Sequence, residues 1–318
     1  MPKLHLPLFI AALLCLITPP AHAQHILFVR GADRSGGFLE AGNDDSRTEH
    51  LAGIDNDADF RGNHGWSQLA NLLTEHGYTL TQITETVEPG NTQGQSQGEP
   101  IDFASMDLSQ YDAIVFGSNN ARYTEAQVDA IEQYLREGGG AIFISDTNFG
   151  GDWADAPDSD RPFLERFGLT VNQDHGTYTL DRADGEFTLP DHPILQGVDT
   201  FDGEGVTPIT VPADPADLPE GVAVQVLVPA QGQVRRNHAP FGHKNLGPTT
   251  DATPQDAALL TATIDQGRLV GFFDRNTFFN QHGAGTNLHR FNNTQLALNL
   301  FAWVTDNDGK GEGESTDH

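Results

Sequence analysis

Apolar runs that stop abruptly in polar clusters are the places in this sequence where chemistry could sit. His25-Ile26-Leu27-Phe28-Val29-Arg30 runs into Gly31, with Asp33 and Arg34 just beyond. Tyr111 to Gly117 runs into Ser118, Asn119, Asn120 and Arg122. Ala141 to Ile144 runs into Ser145, Asp146, Thr147 and Asn148. Arg268 to Phe273 runs into Asp274, Arg275 and Asn276. Each cluster offers hydroxyls, amides, guanidinium groups or carboxylates, the groups that hold sugar hydroxyls and small anions. Two carboxylates, Asp146 and Asp274, could act as an acid/base pair on a glycosidic bond or ligate a cation. The structural alternative is that these aspartates cap the turns that follow them.

Histidines supply the other titratable groups. His282 and His289 follow the last apolar run, and His282 is the first candidate for a base near Asp274, with His289 the second. His64 lies just before a helical stretch, in Gly62-Asn63-His64-Gly65-Trp66. The ligand-binding candidates are therefore Arg30, Asp33, Arg34, His64, Ser118, Asn119, Asn148, Asn276 and His289, and the catalytic ones Asp146, Asp274 and His282. An exposed loop histidine remains the plain reading of each imidazole. Ser145 lacks the glycines of a G-x-S-x-G elbow, because Phe143 and Thr147 fill those places, which argues against a serine triad.

Metal signals are weak. His238 and His243 stand five apart in a Gly/Pro-rich stretch without a nearby acid, so no zinc site is expected. Asp55-Asn56-Asp57-Ala58-Asp59 begins like a calcium loop, but the twelfth position is Trp66 rather than Glu. No cofactor is expected, and a looser calcium site is the one metal reading left open.

The elements that must position these residues read as alternating strands and helices. His25 to Arg30, Tyr78 to Ile83, Tyr111 to Gly117, Ala141 to Ser145 and Arg268 to Phe273 read as strands. Trp66, Leu69, Ala70, Leu72 and Leu73 fall at helical spacing. Thr124 with Gln127 makes a capping box for a helix whose apolar face is Val128, Ile131, Tyr134 and Leu135. Residues 292–304 form a last amphipathic helix. Continuous apolar strands between helices predict an α/β fold, a flavodoxin-like and mostly parallel sheet with helices on both faces. Residues 151–262 are Pro- and Gly-rich with short alternating runs, and read as a loop- and β-rich insertion. Residues 86–100 read as a polar loop.

Composition bounds the setting. The chain has 318 residues, and 45 acidic against 17 basic residues give a net charge of -28. Such a surface repels nucleic acid and anionic membranes and suits a saline exterior. Residues 1–23 read as a signal peptide: Lys3, an apolar run from Leu6 to Ile17, and Ala21-His22-Ala23 as the cleavage site. The expected location is secreted or periplasmic. The lone cysteine, Cys15, falls in that segment, so the processed chain has no thiol for a disulfide, a nucleophile or a metal. Beyond it, no stretch is apolar for long enough to span a bilayer. Residues 305–318 read as an acidic disordered tail, and 24–304 as one domain.

Three of these stretches resemble the class I glutamine amidotransferase-like superfamily. Asp112 to Asn119 is similar to its strand ending in a Gly-rich oxyanion turn. Gly139 to Asp146 sits where it runs a strand into the nucleophile elbow, and Gly271 to Asn276 where it has a strand ending in His-Pro-Glu. Asp191-His192-Pro193-Ile194, followed by Gly197-Val198, resembles a turn of its ThuA-like branch, and the opening "ILFVRGADRSGGFLEAG" with "GNHGW" a group of secreted bacterial proteins. The resemblance implies a flavodoxin-like fold. It also implies a lost triad, because Asp146 or Ser145, Asp274 and Asn276 stand where thiol, imidazole and carboxylate are needed. Glutamine hydrolysis is not expected. The expected function is binding or processing of a polar small molecule or saccharide, as a hydrolase or lyase if bonds are broken; the alternative is a non-catalytic protein-interaction domain of the cell exterior.

Overall fold

A computed structural model of the chain describes residues 23–30, 66–84, 86–87, 98–117, 123–145, 160–172, 176–231, 233–235, 252–280 and 285–306. Its centre is a parallel sheet built from the predicted apolar runs. β1 (His25–Arg30) pairs in parallel with β2 (Thr79–Thr84) on one side and β5 (Ala113–Gly117) on the other. β5 pairs with β6 (Gly140–Ile144), and β6 with β14 (Gly267–Phe272), again in parallel. The parallel strands thus run β2-β1-β5-β6-β14. Counted in chain order among themselves, this is the flavodoxin-like order 2-1-3-4-5.

Strand alternation explains the two-sided cover. Ile26 and Phe28 of β1 face one core, shared with Ile142, Ile144, Val270 and Phe272. Leu27 and Val29 face the other, shared with Ile114, Phe116, Ala141 and Phe143. All five residues of β5 and all five of β6 are buried, as expected where both faces of a strand are covered. The first face is covered by α1 (Ser67–Glu75) and α4 (Asn293–Thr305), through Leu69, Leu73, Leu296, Leu300 and Phe301. The second is covered by α2 (Glu125–Arg136) and the short α3 (Arg161–Glu165), through Val128, Ile131, Leu135, Phe163 and Leu164. The capping box of α2 is present, with Thr124 N–H donating to Gln127 Oε1 at 2.7 Å.

The segment read as an insertion is divided between two sheets. β7 (Thr170–Val171), β10 (Ile209–Thr210), β11 (Val222–Pro229) and β13 (Asp256–Ile264) extend the main sheet beyond β14 with antiparallel pairings. β13 and β14 form a hairpin whose closing pair is Ile264 and Gly267. The two-residue turn between them needs positive φ, and Asp265 supplies it at 49°. β8 (Thr177–Asp181), β9 (Thr200–Glu204) and β12 (Gln233–Arg235) make a separate antiparallel sheet. Its Tyr178, Leu180 and Phe201 pack into the first core. Within the predicted loop 86–100, β3 (Thr86–Val87) pairs with β4 (Gly98–Glu99). Among the described residues, no helix is long and apolar enough to cross a membrane.

Candidate functional site at the carboxyl edge of the sheet

Because the inner strands are parallel and in register, their carboxyl ends share one edge. Val29 lies beside Phe116, Gly117 beside Ile144, and Phe272 beside Ile144. The strands that precede the polar clusters singled out in the sequence therefore all end at that edge. β1 leads to α1 on one face, while β5 leads to α2 on the other. The chain directions diverge between β1 and β5, and such a divergence opens a crevice where ligands bind in open α/β sheets.

Several candidates fall outside the described residues: Asp33, Arg34, His64, Ser118, Asn119, Asp146, Asn148 and His282, as does the side chain of Arg30. The same holds for the possible calcium loop 55–59 and for His238 and His243. The remaining candidates, Asp274, Asn276 and His289, are placed.

Asp274 is fully buried directly beyond β14. Its Oδ2 accepts the Glu204 N–H at 2.8 Å, and its Oδ1 accepts the Asn276 N–H at 2.9 Å. Asn276 Nδ2 donates to the Glu204 carbonyl at 3.0 Å. Asp274 and Asn276 thus hold both backbone groups of Glu204, clamping the end of β9 to the turn after β14. This is the capping role weighed against catalysis for Asp274. Two positions where the resemblance would have its base and its orienting acid serve here as a brace.

His289 is exposed and pairs through Nε2 with Gln68 Oε1. Asn280 Oδ1 accepts the Gln68 N–H at 2.8 Å, and its Nδ2 donates to Ser67 Oγ at 2.9 Å. The segment after β14 therefore secures the first turn of α1, where the side chain of the capping residue, Trp66, makes no capping bond. Trp66 itself is buried edge-on against Phe28 and Phe278, at 6.2 and 5.9 Å between ring centres.

A second buried acid was not singled out from sequence. Asp202, in β9, is 1% exposed. Its Oδ2 meets Arg290 Nε at 3.1 Å, and its Oδ1 accepts from Asn293 Nδ2 at 3.3 Å. Burial raises its pKa above the ordinary carboxylate value, against the opposing pull of the Thr286 hydroxyl, the Arg290 guanidinium and the Asn293 amide. Asn293 Nδ2 also donates to the Asn287 carbonyl at 2.7 Å, so this cluster fixes the 287–293 segment beside β9. Nothing in the sequence marks Asp202 out from the other 44 acids of a chain with 45.

The buried polar atoms that bond nothing among the described residues include Trp66 Nε1, Ser145 Oγ and Asn293 Oδ1. Trp66 opens α1, which follows β1. Ser145 extends β6, its N–H donating to the Phe272 carbonyl at 2.9 Å. Asn293 opens α4, whose other end meets the opposite edge of the sheet through the Thr305 carbonyl and Gln24 Nε2, at 2.8 Å. An unsatisfied buried donor or acceptor costs about 1–3 kcal/mol, so each of these atoms is a place where a partner would be favoured.

His192 of the Asp-His-Pro-Ile turn is placed elsewhere. Its Nδ1 accepts the Ile194 N–H at 3.2 Å, its ring packs 5.7 Å from Trp303, and partial burial lowers its pKa. It caps the 3-10 turn Pro193–Leu195 that packs on α4.

No protein-family profile and no curated protein matches the chain. Among solved structures it is similar to the mmIFT52 N-terminal domain, at 12% identity over 90% of this chain and 99% of that one, with a TM-score of 0.52. Weaker likenesses include a cytoplasmic protein from Salmonella typhimurium, at 14% identity over 88% and 98% of the two chains, TM-score 0.48. A putative ThuA-like protein from Bacteroides uniformis follows, at 16% identity over 91% and 94%, TM-score 0.45. At such identities the likeness is one of architecture alone, an α/β fold around a mostly parallel sheet with helices on both faces.

Proposed function

We propose that the carboxyl-edge crevice binds a polar small molecule, with a saccharide or uronate as the favoured class. The observation that carries this reading is the set of unpartnered buried polar atoms on Trp66, Ser145 and Asn293 at the edge where a divergent α/β sheet opens. A ligand rich in hydroxyls supplies both donors and acceptors and would satisfy such groups. In this reading Asp146, Asn119 and Asn148 accept or donate to hydroxyls, Arg30 or Arg34 holds an anionic group, and His282 stands as the candidate base. Asp274 acts behind them by bracing the turn after β14. The signal-like start makes the periplasm or the exterior the proposed place of action.

The test is a thermal-shift screen of the purified chain against neutral sugars, uronates and calcium. A sugar or uronate that stabilises the parent chain, with the shift abolished in Asp146→Asn, supports the crevice. Equal responses in parent and variant refute it.

A further inference from the structure

We propose that a second site, in the groove between α2 and the 3-10 turns Phe103–Ser105 and Leu108–Gln110, binds small organic cations: an amine carried on a short apolar body. The groove encloses about 480 Å³ and includes Gly139 in its lining, on the helix face of the sheet away from α1 and α4. This places it apart from the crevice, and the inference does not rest on the function proposed for that crevice.

Three features of the groove point to a cation. First, its charged lining residues are Asp107 and Glu137, with no basic residue among them. Both are exposed, and each spends only one oxygen on a neighbour: Asp107 Oδ1 accepts from Ser109, and Glu137 Oε1 accepts from Gln133 Nε2 at 2.8 Å. Asp107 Oδ2 and Glu137 Oε2 have no hydrogen-bond partner among the described residues. Second, the groove lies along the last turns of α2, the negative end of the helix dipole, where a cation is favoured. Third, the basic residue that adjoins Glu137 in sequence is engaged elsewhere. Arg136 bonds Glu132 Oε1 at 2.9 Å and Asp265 Oδ2 at 2.8 Å, and so leaves Glu137 uncompensated. A chain of net charge -28 also concentrates cations around itself.

The apolar part of the ligand has its own place. Phe103, Met106, Leu108 and Ala130 line the groove, and the Tyr134 ring closes it near Gly139. Gly139 is needed for that closure, because a Cβ there would lie 2.3 Å from the Tyr134 ring. The ring is also fixed at its hydroxyl, which donates to the Tyr111 carbonyl at 3.1 Å and accepts the Gly140 N–H at 3.2 Å. The wall is therefore preformed, and a ligand need not order it.

The probe is phenethylamine, compared with the neutral 3-phenylpropan-1-ol, titrated into the isotopically labelled full chain and followed by amide chemical shifts. The expected result is saturable shifts confined to residues 103–109 and 130–139 with the amine, and much weaker ones with the alcohol. Asp107→Asn and Glu137→Gln should each weaken apparent affinity roughly 2- to 5-fold, the range of exposed ion pairs. Ala104→Trp, at an exposed position on the rim, should abolish the shifts without unfolding the chain. Shifts scattered over the acidic surface, equal binding of the alcohol, or variants that bind like the parent would each overturn the assignment.

Discussion

Replacing Asp274 by Asn separates a bracing carboxylate from a ligand-contacting one. The carboxylate is fully buried and accepts two backbone N–H groups, from Glu204 at 2.8 Å and from Asn276 at 2.9 Å. An asparagine keeps the volume but offers one acceptor oxygen, so its amide N–H₂ must face one of those two donors. One charge-assisted bond is lost, at about 1.5–3 kcal/mol, and the surviving bond becomes a neutral one. Relief from burying a charge offsets part of this. We expect a net loss of about 2–3 kcal/mol, which moves the urea midpoint down by about 1 M. Asn276→Ala, which removes the bond to the Glu204 carbonyl, should cost about 1 kcal/mol. Because both side chains grip Glu204, the double variant should be less damaged than the sum of the two. Equilibrium urea unfolding followed by tryptophan fluorescence measures all three. If Asp274→Asn unfolds within about 0.5 kcal/mol of the parent, the clamp carries no strain-bearing role and the bracing argument fails.

Further expectations concern other buried polar groups. Ser145→Ala removes a hydroxyl that bonds nothing among the described residues, so the variant should be equal to the parent or up to about 1 kcal/mol more stable in urea. Tyr134→Phe removes one donated and one accepted bond inside the second core, and should cost about 2–3 kcal/mol by the same measurement. Burial raises the Asp202 pKa, so the folded chain binds that proton more tightly than the unfolded one. Its stabilising contribution is then full below the unfolded value of 3.8 and is lost as pH rises through the folded value. Asp202→Asn does not titrate there, and its melting temperature relative to the parent should rise between about pH 3 and about pH 7; a flat or falling difference would refute the assignment.

The inner sheet was legible because parallel strands covered on both faces must be continuously apolar, as Ala113 to Gly117 and Gly140 to Ile144 are. The start of α2 was legible because Thr124 and Gln127 satisfy each other locally. β13 was harder to place. Asp256–Ile264 is as apolar as the inner strands, but it pairs antiparallel through a two-residue turn at Asp265, and it lay within a stretch whose glycines and prolines read as an insertion. The role of Asp274 could not be read locally either. An aspartate after a strand reads equally as a ligand group or as a cap, and the decision is made by Glu204, 70 residues earlier in the chain. Asp202 is a sharper case, since only the packing of Arg290 and Asn293 around it distinguishes it from a surface acid.

The central claim is that the edge where β1, β5, β6 and β14 end is built to receive a polar ligand. Ser145→Ala tests it most directly, because that variant is expected to leave the fold intact while removing one of the unpartnered groups. Parent and variant would be melted against the same panel of neutral sugars and uronates. The account predicts that at least one member raises the parent's melting temperature and that the rise shrinks or disappears in Ser145→Ala. A panel that leaves the parent unmoved, or a ligand that stabilises both proteins equally, would contradict it.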